Sequence, residues 1–230
     1  MARPIAFIIG AGKNIGASTA KVLQSQGYRV AQAARSVDTT VRDDTNIFLK
    51  VDLASPKAIT DAFTELRQVW GEPGVVIYNG ATVHPAKPEV FSLSTDDLIN
   101  DLTVNVTSVY AAAKESVQGF KTLPASASKT FIATGNCLNE GVLLEGRLVS
   151  LGMGKSAAAH MIASASVGYA QQGFKFYYVD ERTAEGKPML NGVNGPGHAE
   201  FFASLADGLD VPWHATFVSG QGYKKFDRPE

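Results

Sequence analysis

The sequence predicts an α/β fold with a doubly wound parallel sheet, and three observations lead to this prediction. Short runs of β-branched and aromatic residues alternate with longer amphipathic stretches, which is the pattern of successive βαβ units. A glycine-rich segment, residues 10–16, follows the first such run directly. The chain has 230 residues, a length at which one hydrophobic core still suffices. We therefore expect a single domain over residues 1–230.

The predicted strands are short and apolar, and the helices between them carry start and stop signals. Gly27 ends the first helix. Ser55 followed by Pro56 begins the second, and Ser94 with Asp97 resembles a capping box at the start of the third. The strands are predicted at residues 5–9, 28–34, 47–51, 75–78, 129–134, 174–179 and 214–219. The helices are predicted at residues 14–26, 55–70, 94–121, 150–171 and 198–208.

Composition and charge exclude several classes of function. The 21 Lys and Arg residues balance 22 Asp and Glu residues, so the sequence gives no basic surface for nucleic acids or anionic membranes. We expect a small-molecule substrate, no nucleic-acid partner and no membrane partner. Cys137 is the single cysteine, which rules out an internal disulfide, and no Cys or His cluster has the spacing of a zinc site. These features indicate a cytoplasmic protein without a metal.

The segment 10–16 has the composition of a phosphate-binding turn. Glycines between a strand and a helix permit a tight turn and let backbone amides approach a pyrophosphate, which the helix N-terminus then stabilises. A plain strand-to-helix turn is the alternative, and the position of the segment in the first βαβ unit disfavours it. The expected cofactor contacts in this segment are Gly10, Gly12, Lys13, Asn14, Ile15 and Gly16.

This segment resembles the fingerprint Thr-Gly-x-x-x-Gly-x-Gly of the short-chain dehydrogenase/reductase family, which implies a Rossmann-like fold. Gly10 and Gly16 match the first and last glycines. Ile9 stands in place of the Thr, and Asn14 stands in place of the middle Gly. Because Asn tolerates left-handed backbone angles better than most residues, we expect Asn14 to preserve the turn.

The end of the second predicted strand indicates which dinucleotide binds. An NAD site would normally present a carboxylate here, but the chain has Arg35 and Ser36. Arg35 can bind a 2′-phosphate, and Lys13 would add a second positive charge. The resemblance likewise implies NADP(H), because NADP-preferring members carry basic residues at these two places. It also implies that Asp52 and Leu53 contact the adenine end. The alternative interpretation of Lys13 and Arg35 is two solvated surface cations, and that of Asp52 is a simple loop or helix-entry residue.

Two further segments extend the resemblance. Asn79, Gly80 and Ala81 resemble the Asn-Asn-Ala-Gly segment that follows the fourth strand in the family, with Asn79 on the second Asn. Asn105 lies where the family places a structural and catalytic Asn in its long helix. A polar Asn on the inner face of a helix requires a hydrogen-bond partner in any interpretation.

The proton-transfer residues of the family are matched only in part. Family members use a Tyr four residues before a Lys, together with a Ser on the fifth strand. Lys155 resembles that Lys, which implies that it contacts the cofactor and acts in catalysis. Leu151, which carries no proton, stands four positions upstream, and the Ser position falls on Thr134 or Gly135. The resemblance is thus to a divergent member that lacks the Tyr, with Asn105 and Thr134 as the other catalytic candidates.

If hydride transfer persists, another acid must deliver the proton. His84 and Asp180 both lie on the side of the predicted sheet where such folds bind ligands. Tyr177 and Tyr178 point to opposite faces of their strand, so only one could face the site. The polar segment 180–197 is too long for an ordinary connection, and we expect it to cover the pocket. Spacing alone does not choose among these groups.

The cofactor half of the family pattern is retained and the proton-transfer half is altered. We expect an NADP(H)-binding oxidoreductase that transfers hydride to a small carbonyl compound through an atypical proton donor. A non-redox isomerase or cyclase and a non-catalytic NADP(H)-binding sensor are the alternatives. The resemblance implies a homodimer or homotetramer formed through the two long helices. Small residues that permit close packing there, or within the same subunit, are Ala157, Ala158, Ala159, Ala163 and Ala165.

Overall fold

The strands form a parallel sheet with one antiparallel edge. The computed structural model describes residues 3–40 and 42–227, so the expected domain of residues 1–230 extends beyond them. The described strands are β1 Ile5–Ile9, β2 Arg29–Ala34, β3 Asn46–Lys50, β4 Val75–Tyr78, β5 Thr130–Thr134, β6 Lys175–Glu181, β7 His214–Val218 and β8 Gly222–Tyr223. They form one sheet in the order β3-β2-β1-β4-β5-β6-β7-β8. Strands β1 to β7 are parallel, and β8 is antiparallel to β7.

Helices cover both faces of this sheet, as the sequence predicts for a doubly wound fold. The helices are α1 Ile15–Ser25, α2 Pro56–Val69, α3 Thr95–Leu102, α4 Ser108–Phe120, α5 Val149–Gly168 and α6 Gly195–Ala206 among the described residues. Side chains of β1 alternate between the faces. Ala6 and Ile8 pack in the core with α1 and α6, whereas Phe7 and Ile9 pack with α2, α4 and α5. Burial on both faces explains why β1 reads as a continuous apolar run.

The long helix predicted at residues 94–121 contains a π-helical turn in the structure. A π-helical turn, Thr103–Thr107, separates α3 from α4. The Tyr78 hydroxyl of β4 donates a hydrogen bond of 2.6 Å to the Val104 carbonyl inside this turn. The predicted helical span is confirmed, and the π-helical turn within it is a feature that the sequence analysis did not predict. The predicted cap is confirmed, since the Ser94 hydroxyl accepts from the Asp97 amide at 3.1 Å.

The predicted segment 180–197 is shorter than expected at both ends. Strand β6 continues to Glu181, and α6 begins at Gly195, three residues before the predicted start. The Asn194 side chain caps α6 by accepting from the Gly197 amide at 2.9 Å. A short 3₁₀ turn, Leu190–Gly192, lies within the remaining loop. Among the described residues, every helix is too short or too polar to cross a bilayer.

Candidate functional site

A cavity of about 580 Å³ lies at the carboxyl ends of β1, β4, β5 and β6. This is the edge at which open α/β sheets bind ligands. Residues of the glycine loop 10–16 and of α5 line the cavity together with residues of the segment 188–193. The expected site residues along it are Gly12, Lys13, Asn14, Ile15, Asn79, Ala81, Thr134 and Lys155. The fold thus brings residues that are far apart in sequence into one space.

The three glycines of the loop are required for different reasons. Gly10 has φ +87°, and a Cβ there would lie 2.6 Å from the Gly80 backbone nitrogen. A Cβ on Gly16 would lie 2.6 Å from Ala11 Cα. Around Gly12, by contrast, no described atom beyond its chain neighbours lies within 4 Å of a Cβ position. Gly10 and Gly16 therefore permit close packing between backbone segments of the chain. Gly12 leaves space at the cavity for an external group.

Asn14 does not adopt the left-handed conformation that we expected. Its φ is −92° and its ψ is −93°, and it immediately precedes α1. The left-handed residue of the loop is Gly10, so the turn needs no second one. Instead, the side-chain Nδ2 of Asn14 donates to the Val193 carbonyl at 3.1 Å. Asn14 therefore links the glycine loop to the segment that closes the opposite side of the cavity.

A chain of hydrogen bonds connects the glycine loop to α5. Asn79 Nδ2 donates to the Gly10 carbonyl at 2.9 Å, and Asn79 Oδ1 accepts from the Thr134 hydroxyl at 2.9 Å. Lys155 Nζ donates to the Thr134 carbonyl at 2.7 Å. These bonds fix the ends of β1, β4 and β5 relative to the Lys155 ammonium. The Thr134 hydroxyl is therefore engaged in a hydrogen bond that helps to position these strand ends.

Two buried charges face the cavity beside this chain of bonds. Lys155 is 7% exposed and Asp180 is 2% exposed. Burial lowers the pKa of Lys155 to about 8, and the Asp180 carboxylate acts in the opposite direction. Burial raises the pKa of Asp180 to about 6, although Arg182 and Lys155 favour its charged form. Ionisable pairs with pKa values displaced toward neutrality are typical of sites that transfer protons.

The resemblance places the family Tyr at Leu151 and the family Ser at Thr134 or Gly135. Leu151 lines the cavity one helical turn before Lys155. A Cβ on Gly135 would lie 2.2 Å from the ring of Tyr178, so this ring excludes a side chain at position 135. The Tyr178 hydroxyl donates to the Asn136 carbonyl at 2.8 Å. The hydroxyl next to the cavity is therefore that of Thr134.

Asn105 has the hydrogen-bond partner that its burial requires. It is 2% exposed and lies in the π-helical turn. Its Nδ2 donates to the Thr82 carbonyl at 2.7 Å, and its Oδ1 accepts from the Thr82 amide at 3.3 Å. Gly154 packs against it, because a Cβ on Gly154 would lie 2.5 Å from Asn105 Cβ. Asn105 thus holds the loop after β4 against α5, next to Lys155.

The residues expected at the adenine end lie outside the cavity lining. Arg35 and Ser36 are exposed just after β2. The Ala33 carbonyl accepts from the Gly10 and Ala11 amides at 2.9 Å each, which holds the end of β2 beside the glycine loop.

Asp52 and Leu53 follow β3 on the same edge of the sheet. Asp52 is exposed, and its carboxylate accepts from the Ala54 amide at 3.0 Å. Leu53 packs closely on Gly80, where a Cβ would lie 2.1 Å from Leu53 Cδ1. Leu53 therefore supports the loop after β4, while the Asp52 carboxylate faces solvent at the edge.

The structure separates the four alternative proton donors. His84 Nδ1 lies 2.7 Å from Asp101 Oδ1, and neither residue is among those that line the cavity. The Tyr177 hydroxyl donates to the Leu209 carbonyl at 3.2 Å on the opposite face of the sheet. The Tyr178 hydroxyl is bound to the Asn136 carbonyl as described, and neither tyrosine is among the residues that line the cavity. Asp180 is the member of this group that lines the cavity.

Sequence reasoning missed a second carboxylate at the same edge. Glu181 lines the cavity and accepts from the Asn194 amide at 2.8 Å and from the Ser219 hydroxyl. His198 Nδ1 lies 3.4 Å from Glu181, and burial lowers the pKa of that imidazole. Glu181 thereby fixes the start of α6. Its position directly after Asp180 at the carboxyl end of a strand was the available signal.

An open parallel sheet with a glycine loop after its first strand and a cavity at its carboxyl edge is the arrangement of dinucleotide-binding folds. The chain belongs to the short-chain dehydrogenase/reductase family. A family model described as Enoyl-(Acyl carrier protein) reductase matches residues 10–187. The short chain dehydrogenase/reductase dmxR12 of Cryptosporiopsis sp. (strain 8999) is 41% identical over 239 residues, which cover 98% of this chain and 96% of that protein.

Solved structures of other proteins share the fold. A double mutant of the Serratia marcescens short-chain dehydrogenase/reductase has a TM-score of 0.79 and 22% identity, covering 94% of this chain and 96% of that one. ElxO with NADP bound has a TM-score of 0.78 and 14% identity, covering 94% of this chain and 97% of that one. At these identities the likeness concerns the fold alone.

Proposed function

We propose that this protein is an NADP(H)-dependent oxidoreductase that reduces a small carbonyl compound, with residues 1–230 acting as one dinucleotide-binding domain. The observation that carries the proposal is the hydrogen-bonded series from Gly10 through Asn79 and Thr134 to Lys155, which joins the glycine loop to a buried cation along one cavity. Family membership supports oxidoreductase chemistry.

The residues at the cavity fit a dinucleotide. The open space beside Gly12 allows a pyrophosphate to approach the backbone at the N-terminus of α1. Lys13 is exposed at the same loop, and Lys155 presents a buried ammonium at the far end. When bound, a nicotinamide cofactor supplies or accepts the hydride. The residues of this chain hold the phosphates at one end and the nicotinamide ribose at the other.

Charge at the end of β2 favours the phosphorylated cofactor. Arg35 and Ser36 stand where an NAD site would present a carboxylate, and Lys13 lies in the adjoining loop. Charge-assisted hydrogen bonds from these side chains would bind a 2′-phosphate. Asp52 lies at the edge proposed for the adenine ring.

A second cavity of about 650 Å³ adjoins the first and supports an apolar body for the substrate. The two share the lining residues Leu138, Leu143 and Leu148. Apart from Glu145 and Ser156, the remaining lining residues are glycines or have apolar side chains, as Val142 and Met153 do. An apolar wall favours a carbonyl compound whose carbon skeleton enters this second cavity while its oxygen stays near Lys155.

The site departs from the family pattern in its proton donor. Leu151 occupies the cavity wall where the resemblance places a Tyr, and the Ser position falls on Thr134, whose hydroxyl donates to Asn79, or on Gly135, which packs against the Tyr178 ring. We therefore propose a divergent member of the family in which a group other than a tyrosine protonates the substrate.

The outer faces of α4 and α5 offer a surface for self-association. A groove of about 640 Å³ runs between them, lined in part by Tyr110, Lys114 and Met161. Ala158 and Ala159, in contrast, are buried within their own subunit. We propose that the protein forms a homodimer or homotetramer through this groove. Light scattering of the purified protein measures its molar mass and so tests this oligomeric state. A cytoplasmic location without a nucleic-acid partner remains our expectation from composition.

The experiment that tests the function combines binding with turnover. NADPH binding is measured by fluorescence titration, and NADPH oxidation is then followed with a panel of apolar ketones and aldehydes. Binding together with substrate-dependent oxidation supports the proposal. Binding without oxidation, combined with conversion of a substrate in the absence of nicotinamide, would favour a non-redox isomerase or cyclase. Binding with no conversion of any kind would favour the sensor alternative.

A further inference from the structure

The proposed reduction requires a group that protonates the substrate oxygen. Leu151 carries no proton, and the Thr134 hydroxyl already donates to Asn79. The ionisable side chains along the described cavity wall are Lys13, Cys137, Lys155, Asp180, Glu181 and His198. The donor is therefore to be sought among these six.

Three of the six are committed elsewhere. Lys13 belongs to the exposed glycine loop at the phosphate end. Glu181 and His198 interact with each other and with Asn194, and these contacts fix the start of α6. Burial raises the pKa of the Cys137 thiol, and the nearby Asp180 acts in the same direction. A neutral thiol of raised pKa is a poor acid, so Lys155 and Asp180 remain.

Lys155 and Asp180 line the same cavity from different elements. Thr134 of β5 pairs with Val179 of β6, and the Gly135 amide donates to the Val179 carbonyl at 2.7 Å. Asp180 therefore lies beside Gly135, on the same face of β6 as Tyr178, which packs toward α5. Lys155 extends from α5 and gives one hydrogen bond to the Thr134 carbonyl. An ammonium has three N–H groups, so two remain for the cavity.

We propose that Lys155 and Asp180 together form the proton source of this site, with the Lys155 ammonium as the donor and Asp180 as the positioning residue that keeps it charged. The proposal rests on the carbonyl reduction proposed above. The carbonyl carbon gains a hydride from the reduced nicotinamide, which is thereby oxidised. The π electron pair moves onto the substrate oxygen, and this oxygen takes a proton from Nζ. The neutral amine regains a proton from solvent before the next turnover.

The charges around the pair explain why Asp180 matters. Arg182 forms an ion pair with Asp180 through Nε and lies 3.4 Å from Glu140 through Nη2. Asp180 thus interacts with two cations, Lys155 and Arg182. Replacing its carboxylate by a neutral amide would remove the anion that favours the charged form of Lys155 and would leave Arg182 with Glu140 as its ion-pair partner. The pKa of Lys155 would then fall further below about 8.

The test follows the charge of Lys155 in two independent ways. The alkaline limb of kcat/KM against pH reports the donor during turnover, and ¹³C NMR of protein labelled at lysine Cε reports the same group without cofactor. In the native protein we expect both near pH 8. In Asp180→Asn we expect both to move down by about one pH unit or more. Asp180→Glu, which retains a carboxylate, should restore most of the change.

Controls keep the result independent of folding. Glu181→Gln removes the neighbouring carboxylate of the same cavity and should leave the Lys155 resonance near its native pH. Arg182→Gln removes the cation from the other side of Asp180 and should move the alkaline limb upward. This second variant decides the matter if Asp180→Asn does not fold.

The opposite outcomes are also defined. An alkaline limb and a Lys155 resonance that stay unchanged in Asp180→Asn would overturn the pairing. A native limb near pH 6 that disappears in Asp180→Asn would make Asp180 the donor and overturn the role of Lys155. Failure of the proposed function appears differently, as a native protein that does not bind NADPH. The ¹³C titration of the cofactor-free protein tests the pairing of Lys155 with Asp180 independently of NADPH binding.

Discussion

The two ends of the cavity are built in different ways. At the glycine loop, close approaches between backbone atoms fix the geometry, as at Gly10 against Gly80 and at Gly16 against Ala11. At the α5 end, two buried ionisable side chains, Lys155 and Asp180, decide the chemistry. Backbone geometry resists substitution, whereas the pKa of a buried group changes with each neighbour. The proposed binding end is therefore a property of the fold, and the proposed reactive end is a property of a few side chains.

The largest effect should come from Lys155→Met at the reactive end. We expect turnover to fall by about 10²- to 10⁴-fold, because this variant removes the proposed proton donor. The variant should also be more stable toward unfolding, by about 1–3 kcal/mol at neutral pH, since burial lowers the pKa of Lys155 to about 8 from a model-peptide value of 10.5. Steady-state kinetics and urea unfolding measure the two quantities.

The size of this stability change depends on pH. Below pH 8 the lysine is charged in both folded and unfolded states, so the full cost of burying the charge is present. Between pH 8 and 10.5 the folded state releases the proton first, and the advantage of Lys155→Met should shrink toward zero. An advantage that grows with pH in this window would contradict the burial of a charged lysine.

The glycine loop offers a matched pair for the binding end. Gly16→Ala places a Cβ against backbone and should lower the free energy of unfolding by about 2 kcal/mol or more. Gly12→Ala meets open space and should leave unfolding within about 0.5 kcal/mol of the native value, while NADPH binds more weakly. Thermal unfolding and fluorescence titration separate the two. Equal NADPH affinity in native protein and Gly12→Ala would argue against pyrophosphate binding there.

A smaller effect is expected at the edge beyond the cavity. Arg35→Ala should weaken NADPH binding by about 1.5–3 kcal/mol and change NADH binding little, because a charge-assisted contact to the 2′-phosphate is lost. Asp52→Ala is the control, and it should weaken both cofactors alike. Titration of each variant with each cofactor provides the comparison. Similar affinity of the native protein for NADPH and NADH would remove the basis for this prediction.

The smallest effect should be a change in thermal stability on substitution of His84, which lies outside both ends of the cavity. Its hydrogen bond to Asp101 raises the pKa of this imidazole, with Asp97 adding to the effect. A raised histidine pKa contributes stability that is present at low pH and is lost as pH rises through the folded-state pKa. His84→Ala should therefore lower Tm slightly near pH 5.5 and hardly at all near pH 9. A larger loss at the higher pH would contradict this sign.

Much of the framework was predictable from local patterns. The fully apolar run at 5–9 is β1, because a central parallel strand is covered on both faces. The cap at Ser94 depends on a hydroxyl and an amide three residues apart, so it can be read without tertiary information. The conformation of Asn14 was predicted wrongly, since its side chain binds Val193 across a distance in sequence that no local pattern records.

The sequence by itself determined the strand and helix order, the place of the glycine loop and the presence of Lys155 without a tyrosine four residues before it. These follow from hydrophobic periodicity and residue chemistry, which act over a few neighbouring positions. Only the tertiary structure decided that Tyr178 fills the space beside Gly135 and that Asp180 lines the same cavity as Lys155. It also decided the π-helical turn, because the Tyr78 hydroxyl that binds within it comes from another element. Pairings of this kind depend on strand register and helix packing, which the periodicity of one segment does not specify.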